Sequence, residues 1–289
     1  MIKLIAADMD GTLIGKNHDI AKENIEAIKA AQKNGIKFAI ATGRAYCDVE
    51  PFIHKYDLQC DCVVLNGAEY RDINGDIVEH TYIEKKRAIE ILEVMKCTDL
   101  AIEIYTDDGF YTTNTKEETL AGMVKRSLTF HPELKDEEEI LKYANNNPHF
   151  KNMQYITDMN EFLNRHNNIA KFVSFAQSEE IINKLRKKME ALEGLAVSAS
   201  FGTNIEVNHM DAEKGKILAK VAQKLNIKKD EVVVLGDGLN DYSMFTEFQN
   251  SFAMGNAVDE IKEVAKYITD INVNFGVAKA IYRILNGEL

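Results

Sequence analysis

Apolar positions in this chain come in short, dense runs. Lys3 to Ala7, Lys37 to Ala41, Cys62 to Leu65, Val232 to Leu235 and Ser251 to Met254 are largely apolar over strand length. Near-continuous apolar character over so few residues predicts strands buried on both faces. Between them the period changes. Asp19 to Asn34 sets Ile25, Ile28 and Ala31 on one helical face and stops at Gly35, and Tyr46 to Tyr56 predicts another helix. Strands separated by helices at both ends of the chain imply an α/β architecture: a doubly wound, Rossmann-like parallel sheet with right-handed crossovers.

The middle, roughly Ile83 to Val207, is patterned differently. A helix over Glu84 to Lys96 is followed by Ala101 to Thr106 and Phe110 to Thr113, which flank Asp107, Asp108 and Gly109 as a hairpin signature. Strands are then predicted at Met153 to Ile156 and Lys171 to Ala176. An amphipathic helix at Ser178 to Leu192 precedes paired strands at Leu195 to Ser200 and Asn204 to Val207. Strands that follow one another without helices predict an antiparallel sheet with helices on one face, inserted into the parallel domain. Residues 1–82 and 208–289 are thus expected to form the core, and 83–207 the insert. The chain shows no internal repeat and no low-complexity linker.

Composition narrows the function classes. The chain has 289 residues and 45% hydrophobic content, enough for a sizeable core. With 35 Lys and Arg against 46 Asp and Glu, the net charge is -11, and no basic run tracks a phosphate backbone, so nucleic acid is not an expected partner. The first apolar stretch is interrupted by Asp8 and is too short for a signal-peptide core or a membrane span, which points to a cytoplasmic protein with no membrane partner. Cys47, Cys60, Cys62 and Cys97 form no CxxC pair and read as free, largely buried thiols. The seven histidines include no HExxH pair, and His209 reads as a solvated loop residue.

Candidate chemistry gathers at the predicted strand ends, where open α/β sheets place their ligands. Asp8, Met9, Asp10, Gly11 and Thr12 follow the first strand. Side chains at i and i+2 of an extended chain point the same way, so Asp8 and Asp10 can face one reacting group. Carboxylates at the end of a buried strand lose hydration and require a cation or a hydrogen-bond network in its place. Thr42, Gly43 and Arg44 follow the second strand, a hydroxyl, an open backbone and a guanidinium suited to a phosphate. Gly236 to Asp241 follows Val232 to Leu235, and Lys214 opens a helix running toward Leu225. Read singly, Asp237-Gly238 is a turn, Asn240-Asp241 a helix cap and Lys214 a solvated lysine. Their order along one chain is the informative feature.

That order resembles the haloacid dehalogenase superfamily, specifically its Cof-type phosphatases. The resemblance covers essentially the whole chain and rests on Asp8 to Leu13 (DMDGTL), Thr42 to Arg44 (TGR), Asn66 to Ala68 (NGA), Lys214 with Gly215, Gly236 to Asp241 (GDGLND) and Gly255 to Ala257 (GNA). The insert resembles the family's C2-type cap, an α/β domain that covers the site and shapes substrate choice. One departure stands near the end, where Asn274 and Phe275 occupy positions at which an acidic pair commonly precedes Gly-Val-Ala.

The resemblance implies a phosphatase acting on small phosphorylated metabolites such as sugar or cofactor phosphates. Asp8 would be the nucleophile that forms an aspartyl-phosphate. Asp10 would be the general acid and base, kept protonated by nearby negative charge and partial burial. It also implies Mg²⁺ held by Asp8, the backbone carbonyl of Asp10 and Asp237, with Asp241 holding a metal-bound water. Lys214, Thr42 and Asn240 would cradle the phosphate, Gly43 would open the backbone beside it, and Arg44 and Asn66 would contact substrate or brace the loops. An acid at position 10 favours phosphate esters over carbon-halogen bonds, because the leaving oxygen gains from protonation. The alternatives are a sugar phosphomutase on the same scaffold and a non-catalytic metabolite-binding protein. No obligatory protein partner is expected.

Overall fold

The computed structural model describes residues 1–15, 18–96, 100–130, 134, 136–165, 168–176, 178–199 and 202–289. The chain divides into two compact units, Met1–Thr81 with Asp211–Leu289, and Tyr82–Met210. Cys97 and Ser200, the latter at the end of an expected strand, lie outside the described residues. Among those described, no helix is long and apolar enough to cross a membrane.

Among the described residues, fourteen strands form two sheets. In the first unit, β1 (Leu4–Asp8), β2 (Lys37–Ala41), β3 (Cys60–Val64), β4 (Glu69–Arg71) and β5 (Ile77–His80) precede the second unit. There follow β6 (Ala101–Thr106), β7 (Gly109–Thr112), β8 (Met153–Tyr155), β9 (Ile169–Phe175), β10 (Leu195–Ser198) and β11 (Asn204–His209) in the second unit, then β12 (Val232–Gly236), β13 (Asn250–Ala253) and β14 (Tyr267–Ile268) back in the first. The first sheet has the order β14-β13-β12-β1-β2-β3-β4-β5, parallel from β14 to β3 and antiparallel through β4 and β5. Every residue of β1, β3 and β12 is buried, as the dense apolar runs require.

The register of this sheet places the candidate site. Ala7 pairs with Leu235 and Asp8 with Ala41, while Ala41 pairs with Val63. The residues leaving the ends of β12, β2 and β3 therefore converge on Asp8. The strand order also reverses across β1, whose neighbours β2 and β12 are its successor on one side and a strand more than two hundred residues away on the other. A crevice at such a reversal is where open α/β sheets bind ligands.

The second sheet has the order β10-β11-β9-β6-β7-β8 and is antiparallel except for the parallel β7–β8 pair. Its helices occupy both faces, which corrects the expectation of one. Ile102 and Ile104 join a core with Ala88, Ile91, Ile182 and Leu185 from the helices Lys85–Lys96 and Glu179–Glu190. Glu103 alternates to the other face, where Arg126 of helix Lys116–Phe130 and His149 of helix Pro148–Lys151 bind it. His209 lies on β11, half-buried, not on a loop. Cys60 and Cys62 are buried and Cys47 is half-buried, all three as free thiols.

Candidate active site

Asp8 ends β1 with only 4% of its surface exposed. The chain then turns back on itself, with the Met9 carbonyl accepting from the N–H groups of Leu13 (3.0 Å) and Ile14 (2.8 Å). Gly11 makes this turn possible. Its φ is +82°, and a side chain there would put its first carbon 2.2 Å from an Asp237 carboxylate oxygen. The tight turn brings the buried Thr12 hydroxyl within 2.7 Å of Asp237 Oδ1, to which it donates.

Lys214 is fully buried, and its ammonium donates to Asp8 Oδ1 and to Asp241 Oδ1, both at 2.6 Å. A lysine as the first residue of helix Lys214–Lys224 opposes the helix dipole, so its place there is set by these carboxylates. The second oxygen of Asp241 accepts the N–H groups of Asp237 (2.9 Å) and Gly238 (3.0 Å), fixing the loop after β12. The start of the lysine helix is seated by Gly67. With φ +100°, Gly67 comes so close that an added carbon would lie 2.4 Å from the Glu213 carbonyl carbon. On the helix's other side the Gly215 N–H donates to Ser243 Oγ at 3.0 Å.

The second-strand loop is laced to the third. Thr42 donates its N–H to the Val63 carbonyl, its own carbonyl accepts from Asn66, and the Arg44 carbonyl accepts from Leu65. Asn66 takes a left-handed conformation at φ +59°, which asparagine tolerates better than most residues, and its amide lies over Gly43. Arg44 forms a fork with Asp10, with Nε 2.8 Å from Oδ2 and Nη2 2.6 Å from Oδ1. The Asp10 side chain is 55% exposed. The negative charge of Asp237 lies near it, as expected from sequence, and a guanidinium, not expected, faces it directly. Asn240 is exposed, with its carboxamide over Gly238.

Electrostatics single out the acids. Burial pushes the Asp8 carboxyl well above its usual range, and Asp241 and Asp237 add to this against the pull of Lys214. Burial likewise pushes Asp237 up to about 6, with Asp241 also raising it and the Thr12 hydrogen bond opposing. For Lys214, burial is outweighed by Asp241 and Asp8, which hold the ammonium above the usual lysine range. Asp8, Asp237 and Asp241 each offer an oxygen within 4.8 Å of the others. Three carboxylates against one ammonium leave surplus negative charge, and an all-oxygen donor set of this kind fits a hard divalent cation.

Sequence reading brought Asp8, Lys214, Asp237 and Asp241 to one place and left Thr12 and two asparagines unassigned. Asn256 donates to the Gly11 carbonyl at 2.8 Å, its side-chain oxygen accepts the Asn272 N–H at 2.9 Å, and Asn272 donates to the Ile14 carbonyl at 2.9 Å. These two asparagines tie down the turn after Asp8 from the opposite side. Asn256 lies in the GNA motif, the one signal that could have found it; Asn272 sits in the segment that departs from the family pattern.

A profile of the haloacid dehalogenase-like hydrolases matches residues 5–281, and the chain belongs to that family. It is a hydrolase. Phosphatase YwpJ of Bacillus subtilis strain 168 is 31% identical over 289 residues, covering 98% of this chain and all of the relative. The same organism's 5-amino-6-(5-phospho-D-ribitylamino)uracil phosphatase YcsE is 32% identical over 280 residues, with 97% of this chain and 94% of the relative covered. Among solved structures, a haloacid dehalogenase-like hydrolase from B. subtilis superimposes with a TM-score of 0.83 at 31% identity, covering 98% of this chain and 100% of that one.

Proposed function

We infer that this hydrolase is a phosphatase that removes phosphate from small phosphorylated metabolites, with Asp8 as nucleophile. The observation that carries this reading is Lys214, buried between Asp8 and Asp241, which fixes one Asp8 oxygen and leaves the other to attack phosphorus. Attack forms an aspartyl-phosphate and divides one hard hydrolysis into two easier steps. Asp10 gives its proton to the departing ester oxygen and then takes one from the water that releases phosphate, a contribution of about 100- to 10,000-fold. Thr42, at the end of β2, and Lys214 contact the phosphate oxygens. Gly43 leaves room beside them, and Asn66 braces the Thr42 loop while Asn240 faces solvent at the rim.

Asp8, Asp237 and the Asp10 carbonyl would hold Mg²⁺, with Asp241, whose oxygens already accept Lys214 and the Asp237 and Gly238 N–H groups, beside them at a metal-bound water. When bound, the ion shields Asp8 from the anionic phosphate and stabilises the charge that develops on it. Residues 83–207 are assigned to substrate choice. The ribitylaminouracil phosphatase among the relatives acts on a phosphorylated polyol, which supports phosphate esters of polyols and sugars as the first class to test. The test is phosphate release from a panel of sugar, polyol and cofactor phosphates with Mg²⁺. Release from at least one class is expected. No release from any would overturn the reading, and isomerised sugar phosphate without free phosphate would replace it with a mutase.

A further inference from the structure

Arg44 and Asp10 are solvent-facing charged side chains of the site, at 29% and 55% exposure, and they are paired with each other. Asp8 and Asp241, by contrast, are at 6% and 0% and are pinned by Lys214. The Arg44 fork engages both oxygens of the residue assigned to proton transfer. The Arg44 main chain is fixed, its N–H donating to Thr42 Oγ1 at 3.2 Å and its carbonyl accepting from Leu65 at 2.9 Å. Any change of partner therefore falls to the side chain, which runs past the Phe52 ring at 5.8 Å.

A guanidinium fork matches a phosphate as well as it matches a carboxylate, and a phosphate monoester carries more charge than Asp10. We propose that Arg44 exchanges partners during the cycle, alternating between Asp10 and a non-bridging oxygen of the substrate phosphate. Arrival of the phosphate draws Arg44 away and frees Asp10 to reach the ester oxygen, so substrate binding and the placement of Asp10 are one event. This rests on the roles given to Asp8 and Asp10 above. In the step it serves, a bond forms from an Asp8 oxygen to phosphorus as the ester P–O bond breaks. The electron pair of that bond stays on the leaving oxygen, which takes a proton from Asp10; Asp10, a carboxylate acceptor at both oxygens while the fork holds it, gains that proton from solvent once Arg44 has left. Arg44 is thus a positioning residue that acts through Asp10 as well as a phosphate contact.

The experiment compares two esters with Mg²⁺: nitrophenyl phosphate, whose leaving group departs without a proton, and a polyol phosphate, whose leaving group needs one. Arg44→Lys keeps the charge and loses the fork. It is expected to hold KM within about threefold on both esters. Its kcat on the polyol phosphate should fall about tenfold or more beyond any loss on nitrophenyl phosphate. Arg44→Ala should add a higher KM on both. A crystal structure with vanadate at Asp8 should show the guanidinium on the vanadate oxygens and off Asp10. Equal kcat losses on the two esters, or an intact Arg44–Asp10 fork beside bound vanadate, would overturn partner exchange while Asp8-dependent turnover left the phosphatase reading standing. If the native enzyme turned over neither ester, or Asp8→Asn kept full turnover, the reading and this inference would fall together.

Discussion

The Lys214 ammonium, itself shut off from solvent, stands 2.6 Å from Asp8 Oδ1, and the same nitrogen reaches Asp241 at the same distance. Replacing it with methionine keeps the volume and strands two buried carboxylates without their cation. Breaking a buried ion pair in this way costs about 3–5 kcal/mol. Lys214→Met is therefore expected to lower the denaturation midpoint of the protein and to abolish turnover. A midpoint unchanged from native would contradict the structural role of the pair.

Gly67 sets where that lysine begins its helix. Gly67→Ala places a carbon against the Glu213 carbonyl and forces a left-handed residue to carry a side chain. Strain and overpacking together predict a loss of about 1–3 kcal/mol and a displaced Lys214. Chemical denaturation reads the first, and kcat, falling more than KM changes, reads the second.

Glu103 supplies a pH dependence in the second unit. Burial alone would raise its pKa, but Arg126 and His149 outweigh burial and bring it down to about 2. A depressed carboxylate stabilises the fold above its unfolded pKa, near 4.5, and that contribution is lost as pH falls toward 2. The difference corresponds to roughly 3 kcal/mol. Hydrogen exchange at the β6 amides should show protection falling through this window, and Glu103→Gln should flatten the fall. Protection that is flat in the native protein would show that the pair contributes nothing.

The acid trio predicts a stabilising cation. Mg²⁺ at about a hundredfold excess over its Kd should raise stability by roughly 2 to 3 kcal/mol. Asp237→Asn, which removes one of the three carboxylates, should abolish most of that gain. Thermal unfolding with and without the ion measures both, and an equal gain in the variant would remove Asp237 from the cation site.

Much of this was legible in the sequence because buried parallel strands advertise themselves as dense apolar runs, and because such sheets present their strand ends to ligands. Asp8 and Asp237 could be placed at neighbouring strand ends from the apolar runs, and Lys214 joined them through the family that the motif order resembles. The Arg44–Asp10 fork could not, since it depends on the angle at which the loops after β1 and β2 leave the sheet. Thr12, Asn256 and Asn272 were hidden for a similar reason. Each meets a partner more than two hundred residues away through a single side-chain hydrogen bond, which leaves no periodic trace. In the second unit, nothing in the sequence singles out Glu103 within the expected strand Ala101 to Thr106. It is buried because Arg126 and His149, from helices with no pattern linking them to β6, come to it.

Every role given to the site depends on Asp8 as nucleophile, and phosphate release by Asp8→Asn is the decisive measurement. The amide cannot form the aspartyl-phosphate, so a loss of about 1,000-fold or more against native enzyme is expected on the best ester found, with the fold intact by circular dichroism. Release within tenfold of native from a verified Asp8→Asn preparation would contradict it.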